Sequence, residues 1–421
     1  MGLPFQGMWN GSPALKGKGI RSMKKLIAML LLPILLLVAG CNSSPPEEDL
    51  GEDYIMGTDQ QYYFYPNYGN ICESEDSYYW LGTTSGWRLC MKDKKTGETT
   101  IMCNKPDCLH EKEQDSNRKM ECNAYFPGCL GMAYCNGKLY IHATVLKEDT
   151  LDGTSYQVIY EVDISGSTRK EIYRSLQPMG AMITHRGYLY VASSDFFELY
   201  EEEYKDKPEL IEGCKCEVIR FPLNNPSQQE TIWEETEKPC RINTMFAYGN
   251  RVYMLITSEK VPGFQVYNIQ DKSIYVPEIP LAGGCTPVWD GHLVAASEGL
   301  PPDKKVYQTD MDANIEKEVD LPCMGTMFWN GTYLVSDNDL EISIGEIESE
   351  DRAIRVYDED YRLIREVKLG EGVLFEVGLN EQYYFYLKSD GEEGYDIWAV
   401  DLSRLDEEDL QGELFLPITS Y

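Results

Sequence analysis

The chain has 421 residues, of which 38 are Lys or Arg and 70 are Asp or Glu, so its formal net charge is −32 at pH 7. Such a surface repels phosphate groups, and nucleic acid is therefore excluded as an expected partner. Tyr occurs 30 times and Gly 35 times, and this mixture of strand-forming and turn-forming residues favours a β fold.

The first predicted element is an export signal. A 13-residue apolar run, Leu26–Val38, follows two lysines and precedes the small pair Ala39-Gly40. A positive region, a short apolar region and small residues before a cleavage point are the features of a signal peptide. The run is too short to span a bilayer, which takes ~20 apolar residues. We therefore assign residues 1–40 to an upstream extension and a lipoprotein-type signal peptide.

The residue after the small pair is Cys41, and Val38-Ala39-Gly40-Cys41 resembles the lipobox of bacterial lipoproteins. That resemblance implies that the Cys41 thiol carries a diacylglycerol and becomes the mature N-terminus. Two or more acyl chains hold a protein stably on a membrane. We therefore expect an exported protein, anchored through its lipid to the outer face of the cell membrane.

A polar stretch follows the lipidated cysteine. Residues 42–53 contain a Pro-Pro pair and five acidic side chains, a composition typical of an extended, solvated linker. We therefore predict a flexible acidic tether over residues 41–58 and a single folded domain over residues 59–421.

The folded part repeats a turn followed by two apolar residues. The second apolar residue of each repeat serves as an anchor, and the anchors lie about 40 to 63 residues apart, close to the spacing of propeller blades. The seven anchors are Tyr79, Tyr140, Tyr190, Tyr253, Val294, Leu334 and Tyr384.

Each repeat has the same internal order. One strand enters an Asn-Gly or Asp-Gly type of turn, the anchor strand follows, and a third strand ends in an Asp-rich turn before a fourth. Four short antiparallel strands repeated seven times predict an all-β, seven-bladed β-propeller, with six or eight blades as the alternatives. The segment 60–65 precedes the first repeat, and we expect it to supply a strand to the last blade or to start the first.

A Cys-rich insertion at 103–135 interrupts the first two repeats. Three thiols and one imidazole lie within 20 residues, at Cys103, Cys108, His110 and Cys122, and such a set can close a tetrahedral Cys₃His zinc site. With four protein ligands the ion would be structural, because no coordination position stays open. Disulfide bonding is the competing interpretation, since exported proteins meet oxidising conditions, and free buried thiols are the third. The pairs considered are Cys108 with Cys122 and Cys103 with Cys129.

These features together resemble the lipid-anchored β-propeller lipoproteins of Gram-positive anaerobic bacteria, which are largely uncharacterised. The resemblance covers roughly residues 23–421. A block that recurs in those proteins is matched here by Cys103, Cys108, His110 and Cys122.

Three further histidines lie beside anchor strands in three different repeats: His142, His185 and His292. Such positions can face the central channel of a propeller, and we consider them as candidates for a shared ligand site. No nucleophile elbow, metalloprotease helix or phosphate-binding loop is found in the sequence. We therefore expect a non-enzymatic binding or scaffolding module for an extracellular protein, peptide or glycan. The alternative is an extracellular glycan hydrolase or lyase with its site at the propeller mouth.

Overall fold

Seven antiparallel sheets, each built from consecutive strands of the chain, make up the fold. The computed structural model describes residues 51–61, 71–82, 88–110, 121–146, 155–198, 212–258, 261–277, 281–282, 288–289, 291–297, 305–321, 327–338, 352–389 and 395–416. All of them belong to one compact unit, Leu50–Tyr421. Within these residues, no helix is both long enough and apolar enough to cross a membrane.

The strands of blades 1 to 4 are, in chain order, β1 (Ile71–Glu73), β2 (Ser77–Gly82), β3 (Arg88–Asp93), β4 (Thr99–Ile101); β5 (Cys129–Cys135), β6 (Lys138–Leu146), β7 (Ser155–Asp163), β8 (Arg169–Ser175); β9 (Met179–His185), β10 (Tyr188–Ser194), β11 (Cys216–Pro222), β12 (Glu230–Glu235); β13 (Arg241–Tyr248), β14 (Arg251–Thr257), β15 (Phe264–Asn268) and β16 (Ile274–Tyr275).

The strands of blades 5 to 7 are β17 (Leu281–Ala282), β18 (Val288–Trp289), β19 (His292–Ser297), β20 (Val306–Asp310), β21 (Ile315–Val319); β22 (Met327–Trp329), β23 (Leu334–Asp337), β24 (Ala353–Tyr357), β25 (Leu363–Lys368); β26 (Val373–Leu379), β27 (Tyr383–Ser389), β28 (Tyr395–Asp401) and β29 (Glu413–Leu416). In blade 5 the first strand is split, and both β17 and β18 pair with β19.

The predicted seven-bladed propeller is confirmed. Every anchor residue is buried in the second strand of its blade, where the strand is covered on both faces by neighbouring blades. Two of the turns before the anchor strands need left-handed backbone at both central positions: Asn136 and Gly137 have φ of 50° and 76°, and Arg186 and Gly187 have φ of 50° and 78°. These are the hairpin turns whose twist matches that of the flanking strands.

Seven apolar clusters hold the ring together, and each contains buried residues from two adjacent blades. The cluster between blades 7 and 1 closes the circle and includes Trp80, Phe385 and Ile397. Burial of large aromatic side chains at such an interface is the main favourable contribution to its stability. The ring is thus closed by side-chain packing between the first and last blades.

Among the described residues, no strand from the N-terminal part of the chain joins the last blade. Blade 7 takes all four of its strands from 373–416, and Gln60 and Gln61 belong to no strand. Residues 62–65, the rest of the segment predicted to add a closing strand, lie outside the described residues.

The antiparallel order gives the propeller two different faces. The turns between strands 1 and 2 and between strands 3 and 4 of each blade lie on one face, which we call the turn face. The connections between strands 2 and 3, and those from one blade to the next, lie on the opposite face, which we call the connection face. The Cys-rich insertion joins β4 to β5 and therefore leaves and re-enters the ring on the connection face.

Residues 51–61, called the N-terminal segment below, lie across the turn face. The carbonyl oxygens of Gly57 and Thr58 accept backbone N–H groups of Asn136 in blade 2 (2.7 Å) and Arg186 in blade 3 (3.0 Å). The side chain of Gln60 accepts the N–H of Ala247 in blade 4 (2.6 Å), and Gln61 accepts the N–H of Glu73 in blade 1 (3.1 Å). The segment therefore links four blades.

Charged side chains add to this docking. Arg186 donates to Asp59 (3.2 Å) and to the carbonyl oxygens of Gly51 (2.8 Å) and Asp53 (3.2 Å), and Arg251 pairs with Glu52. The tether predicted over 41–58 overlaps this segment: residues 51–58 make these contacts, and residues 41–50 lie outside the described part of the chain.

Candidate metal centre

Four potential metal ligands come together in the Cys-rich insertion. Cys103 follows β4 by one residue, Cys108 and His110 lie in the next loop, and Cys122 begins the return to β5. Their ligand atoms all lie within 4.8 Å of one another. This is the set that the sequence predicts, and the fold brings all four of its members to one place.

The spacing of these atoms, 4.8 Å at most, is close to the spacing around a bound ion. Zn–S bonds of ~2.3 Å in a tetrahedron place two sulfurs ~3.8 Å apart, so binding would draw the four groups together by up to ~1 Å. The Cys122 sulfur already lies 4.0 Å from Nδ1 of His110. Three soft thiolates and one imidazole make a donor set that suits zinc.

Burial differs between the four ligands. Cys103 is 9% exposed and Cys122 is 3% exposed, and both belong to the apolar cluster between blades 1 and 2. Cys108 and His110 are half-buried and lie on the solvent side. An ion held by this set would therefore be fixed on its inner side by the ring and closed on its outer side by the loop.

Hydrogen bonds from both blades fix the two arms of the insertion. Arg88, at the start of β3, donates to the carbonyl oxygen of His110, and the N–H of Leu89 donates to that of Ala124 (2.7 Å). Arg169, at the start of β8, donates to the carbonyl oxygens of Cys122 (2.9 Å) and Tyr125 (2.6 Å). The ligands are thus held in position by a buried arginine, Arg88, and a half-buried one, Arg169, from two neighbouring blades.

Gly166 lies directly against the backbone of the cluster. It lies in the Asp-rich turn after β7 with φ of 70°, and a Cβ built on it would stand 2.8 Å from the carbonyl carbon and oxygen of Met102 and 3.1 Å from the nitrogen of Cys103. Its carbonyl oxygen accepts from Nδ2 of Asn123 (2.9 Å). This turn therefore touches both arms of the insertion, and only glycine fits there.

The thiols of the cluster differ in acidity. Burial opposes ionisation of Cys103, but the N–H groups of Lys105 and Asn123 and the neighbouring thiols donate to its sulfur, and the net effect lowers its pKa. Burial raises the pKa of Cys122 to about 12, with the nearby Cys103 and Cys108 adding to the rise. Without a cation, three thiolates cannot coexist in this site, and a divalent ion would offset that repulsion.

An open cavity of about 270 Å³ borders the two outer ligands. Lys105, Asp107 and Glu121 line it beside Cys108 and His110, so its wall carries charge of both signs. Three of the four ligands, Cys108, His110 and Cys122, form part of its wall, so an ion can reach the cluster through this cavity.

The three histidines considered for a channel site have separate partners. His142 is buried in β6 and donates from Nε2 to Oε1 of Gln157 (2.7 Å), and burial lowers its pKa to about 4. His292, at the start of β19, is half-buried and lies 2.8 Å from Glu316. Among the described residues, the one group of three or more metal-capable side chains is the Cys₃His cluster.

His185 is buried at the end of β9. Its Nδ1 accepts the N–H of Gln60 (3.3 Å), and its Nε2 donates to the carbonyl oxygen of Gly249 (2.8 Å). Burial lowers its pKa to about 4, despite the nearby carboxylate of Asp59. The side chain links the N-terminal segment to blades 3 and 4.

All ten described cysteines are thiols: Cys72, Cys90, Cys103, Cys108, Cys122, Cys129, Cys135, Cys214, Cys216 and Cys240. Cys129 donates its S–H to the carbonyl oxygen of Gly131 (3.6 Å) and lies outside the ligand group. Cys41, the predicted lipidation site, lies outside the described residues.

Several residues that hold the cluster escape sequence reasoning. Arg88, Asn123 and Arg169 act through the backbone carbonyls of distant residues, and no local pattern marks such contacts. The sequence marks Gly166 as a turn residue, since it ends the Asp-rich turn 163–166. Its approach to Met102 depends on how two blades pack and is not visible in the sequence.

Comparison with known proteins supports the fold. No family model matches the chain, and no curated protein matches it. Among solved structures, an oligogalacturonate lyase from Vibrio parahaemolyticus aligns with a TM-score of 0.55 at 12% identity, over 80% of this chain and 90% of that one. An oligogalacturonate lyase in complex with manganese aligns with a TM-score of 0.50 at 12% identity, over 82% and 92%. A prolyl endopeptidase aligns with a TM-score of 0.54 at 13% identity, over 85% and 51%. The chain is similar to these proteins in its propeller architecture.

Proposed function

We propose that the protein is an exported, lipid-anchored propeller that binds an extracellular protein, peptide or glycan without transforming it. The observation that carries the proposal is that each histidine considered for a shared ligand site is engaged with a neighbour of its own. His142 bonds Gln157, His185 bonds Gln60 and Gly249, and His292 faces Glu316. The enzymatic alternative called for histidines or acidic side chains that meet in one pocket at the propeller mouth, and the three histidines do not supply such a set.

The N-terminal segment agrees with an anchored arrangement. It leaves the propeller on the turn face, where Gly51 and Glu52 contact Arg186 and Arg251. A lipid attached to Cys41 would then hold the turn face towards the membrane. The connection face would point away from it and be available to a partner.

A lyase function, as in the two similar structures, has a physical argument against it. Oligogalacturonate is a polyanion, and this chain carries a formal net charge of −32. Repulsion between like charges slows the approach of such a substrate and weakens its binding. Neutral glycans and cationic peptides do not meet that barrier.

Binding and turnover can be measured on one panel. The chain from residue 42 onwards, immobilised through a C-terminal tag, is presented with neutral, cationic and anionic polysaccharides and with basic peptides. The same samples are assayed for new reducing ends and for unsaturated products. We expect binding to a neutral or cationic member without product. Turnover of any polysaccharide would contradict the proposal.

The anchor is tested separately. Wild-type protein produced in a Gram-positive host should incorporate labelled fatty acid and stay with the membrane fraction. Cys41→Ser should remove the label and release the protein into the medium. A fatty-acid label that persists in this variant would reject Cys41 as the attachment site.

For the cluster we propose one structural zinc ion bound by Cys103, Cys108, His110 and Cys122. Protein purified without chelator and without a nickel column should contain about one zinc per chain, consistent with a closed four-ligand site. Cys122→Ser should lose it, whereas the matched control Cys129→Ser should retain it. A Cys108–Cys122 cross-linked peptide in the native protein would instead establish the disulfide.

A further inference from the structure

Two buried thiols meet where the chain passes from blade 3 to blade 4. Cys216, the first residue of β11, is 0% exposed, and Cys240, directly before β13, is 2% exposed. Both belong to the apolar cluster between these blades. A hydrogen bond between the two thiols lowers the pKa of Cys216, which agrees with neighbouring positions for their side chains.

Backbone contacts independently place Cys240 against blade 3. Ser194 is the cross-strand neighbour of Cys216, and its hydroxyl donates to the carbonyl oxygen of Cys240 (2.8 Å). The next residue, Arg241, donates from Nε to the carbonyl oxygen of Phe196 (3.0 Å). Cys240 is thus held on the end of β10 and β11 by bonds that do not involve its sulfur.

We propose that Cys216 and Cys240 form a disulfide that clamps blade 3 to blade 4 when the chain folds under oxidising conditions. The bond would close a loop that contains β12 and would join β11 to the residue that starts blade 4. It matters because the junctions of this ring rely on side-chain packing. A covalent link at one junction stops the two blades from separating there.

The chemistry is a thiol–disulfide exchange. The Cys216 thiolate attacks a disulfide such as oxidised glutathione, forms a mixed disulfide and releases one glutathione thiol. The Cys240 thiolate then attacks the protein sulfur of the mixed disulfide and releases the second glutathione. Two protein thiols are oxidised by two electrons in total, and one glutathione disulfide is reduced to two thiols.

The neighbouring Cys214 provides a matched control. It is half-buried on the same side of the chain and packs against the same cluster, two positions from Cys216. It precedes β11, whereas Cys216 is the strand residue paired with Ser194, whose hydroxyl holds Cys240. Burial and the nearby Asp195 raise the pKa of the Cys214 thiol. The bridge should therefore select Cys216 over Cys214.

The experiment maps the cysteines by mass spectrometry. The chain from residue 42 onwards is produced by secretion into an oxidising compartment, checked for folding by circular dichroism, and unfolded in maleimide without reductant. We expect one peptide that joins Cys216 to Cys240, two hydrogens lighter than its reduced parts, and it should persist in Cys214→Ser. Folded protein in which both residues carry maleimide, or in which Cys240 is joined to Cys214, would overturn the proposal.

A second measurement uses stability. Thermal unfolding of the wild type should move to lower temperature when a reductant is added, and the double variant Cys216→Ser/Cys240→Ser should lack this response. If that variant fails to fold, the wild-type peptide map alone decides. This disulfide proposal rests on the proposed export only because export would expose the chain to an oxidant. If export were disproved, the peptide map of protein secreted into an oxidising compartment would still decide whether the bridge forms.

Discussion

The imidazole of His185 donates from Nε2 to the carbonyl oxygen of Gly249 across 2.8 Å, while its Nδ1 accepts the N–H of Gln60. One side chain thereby joins blade 3, blade 4 and the N-terminal segment. Both bonds require the neutral ring with its proton on Nε2, because a protonated Nδ1 cannot accept. The neighbouring Asp59 and Arg186 carry opposite charges and pair with each other.

The first prediction concerns acid. Burial lowers the pKa of His142 and of His185 to about 4, whereas an unfolded histidine titrates near ~6.5. At pH values between the folded and the unfolded pKa, the unfolded chain binds protons that the folded chain does not bind. The free energy of unfolding therefore falls as the pH falls. From pH 7 to pH 5 each histidine should cost about 2 kcal/mol of unfolding free energy.

Urea unfolding at several pH values measures this slope. The double variant His142→Gln/His185→Asn should lose the part of the slope above pH 5, whatever its stability at pH 7. His292→Asn is the control, since that ring is half-buried and paired with Glu316. A double variant with the wild-type slope would show that these two rings titrate normally.

The second prediction tests the docking of the N-terminal segment. Arg186→Ala removes the partner of Asp59, whose carboxylate is fully buried. Loss of one member of a buried ion pair typically costs about 3–5 kcal/mol. Arg174→Ala removes an exposed pair with Glu171 and should cost about 0–1 kcal/mol. Equal losses in the two variants, measured by urea unfolding, would mean that the segment contributes no stability through Arg186.

The blade repeat was predictable because it depends on local patterns. A tight turn and two apolar residues recur along the chain, and each anchor, from Tyr79 to Tyr384, is buried in the strand where the pattern put it. The docking of residues 51–61 was not predictable in this way. Their acidic side chains have the composition of a solvated linker, and the pairing of Glu52 with Arg251 joins residues 199 positions apart.

The candidate ligands also divide into those whose meeting the sequence predicted and those whose partners it did not. Close spacing of Cys103, Cys108, His110 and Cys122 marked the set, because ligands near one another in sequence need little help to meet in space. The three other histidines were grouped because each lies beside an anchor strand, but they occupy different positions: His142 lies within a second strand, His185 ends a first strand and His292 begins a second strand. Their actual partners, such as Gln157 for His142, depend on pairing between individual strands.

The third prediction concerns the turn beside the cluster. Gly166→Ala would drive a methyl group into the carbonyl of Met102 and push the backbone of Cys103. We expect zinc affinity to fall about 10- to 100-fold, the range found when groups that orient metal ligands are altered. Competition with a chromophoric chelator measures this affinity.

Gly137→Ala is the control for backbone strain. Gly137 has φ of 76°, close to that of Gly166, but a Cβ there meets no atom within 4 Å. In both variants an alanine in the left-handed backbone region costs about 1–2 kcal/mol of stability, but only Gly166→Ala disturbs the ligands. Parallel losses of zinc affinity would show that general strain, and not contact with Met102, is responsible.

The fourth prediction tests how the ring closes. Phe385 in β27 is buried between blades 7 and 1, with its ring 5.0 Å from that of Phe415 and 6.0 Å from that of Tyr78. Phe385→Ala leaves a cavity and should cost about 3–5 kcal/mol. Because side-chain packing joins the two blades, hydrogen exchange should accelerate in β2, β27 and β28 together.

Phe221→Ala is the matched comparison, since this phenylalanine is equally buried but lies between blades 2 and 3. It should accelerate exchange in the strands of those two blades and leave β2 and β27 protected. If Phe385→Ala accelerated exchange in blade 7 while β2 stayed protected, blade 1 would not depend on packing against blade 7. The closing junction would then be held by contacts other than the aromatic cluster of Tyr78, Phe385 and Phe415.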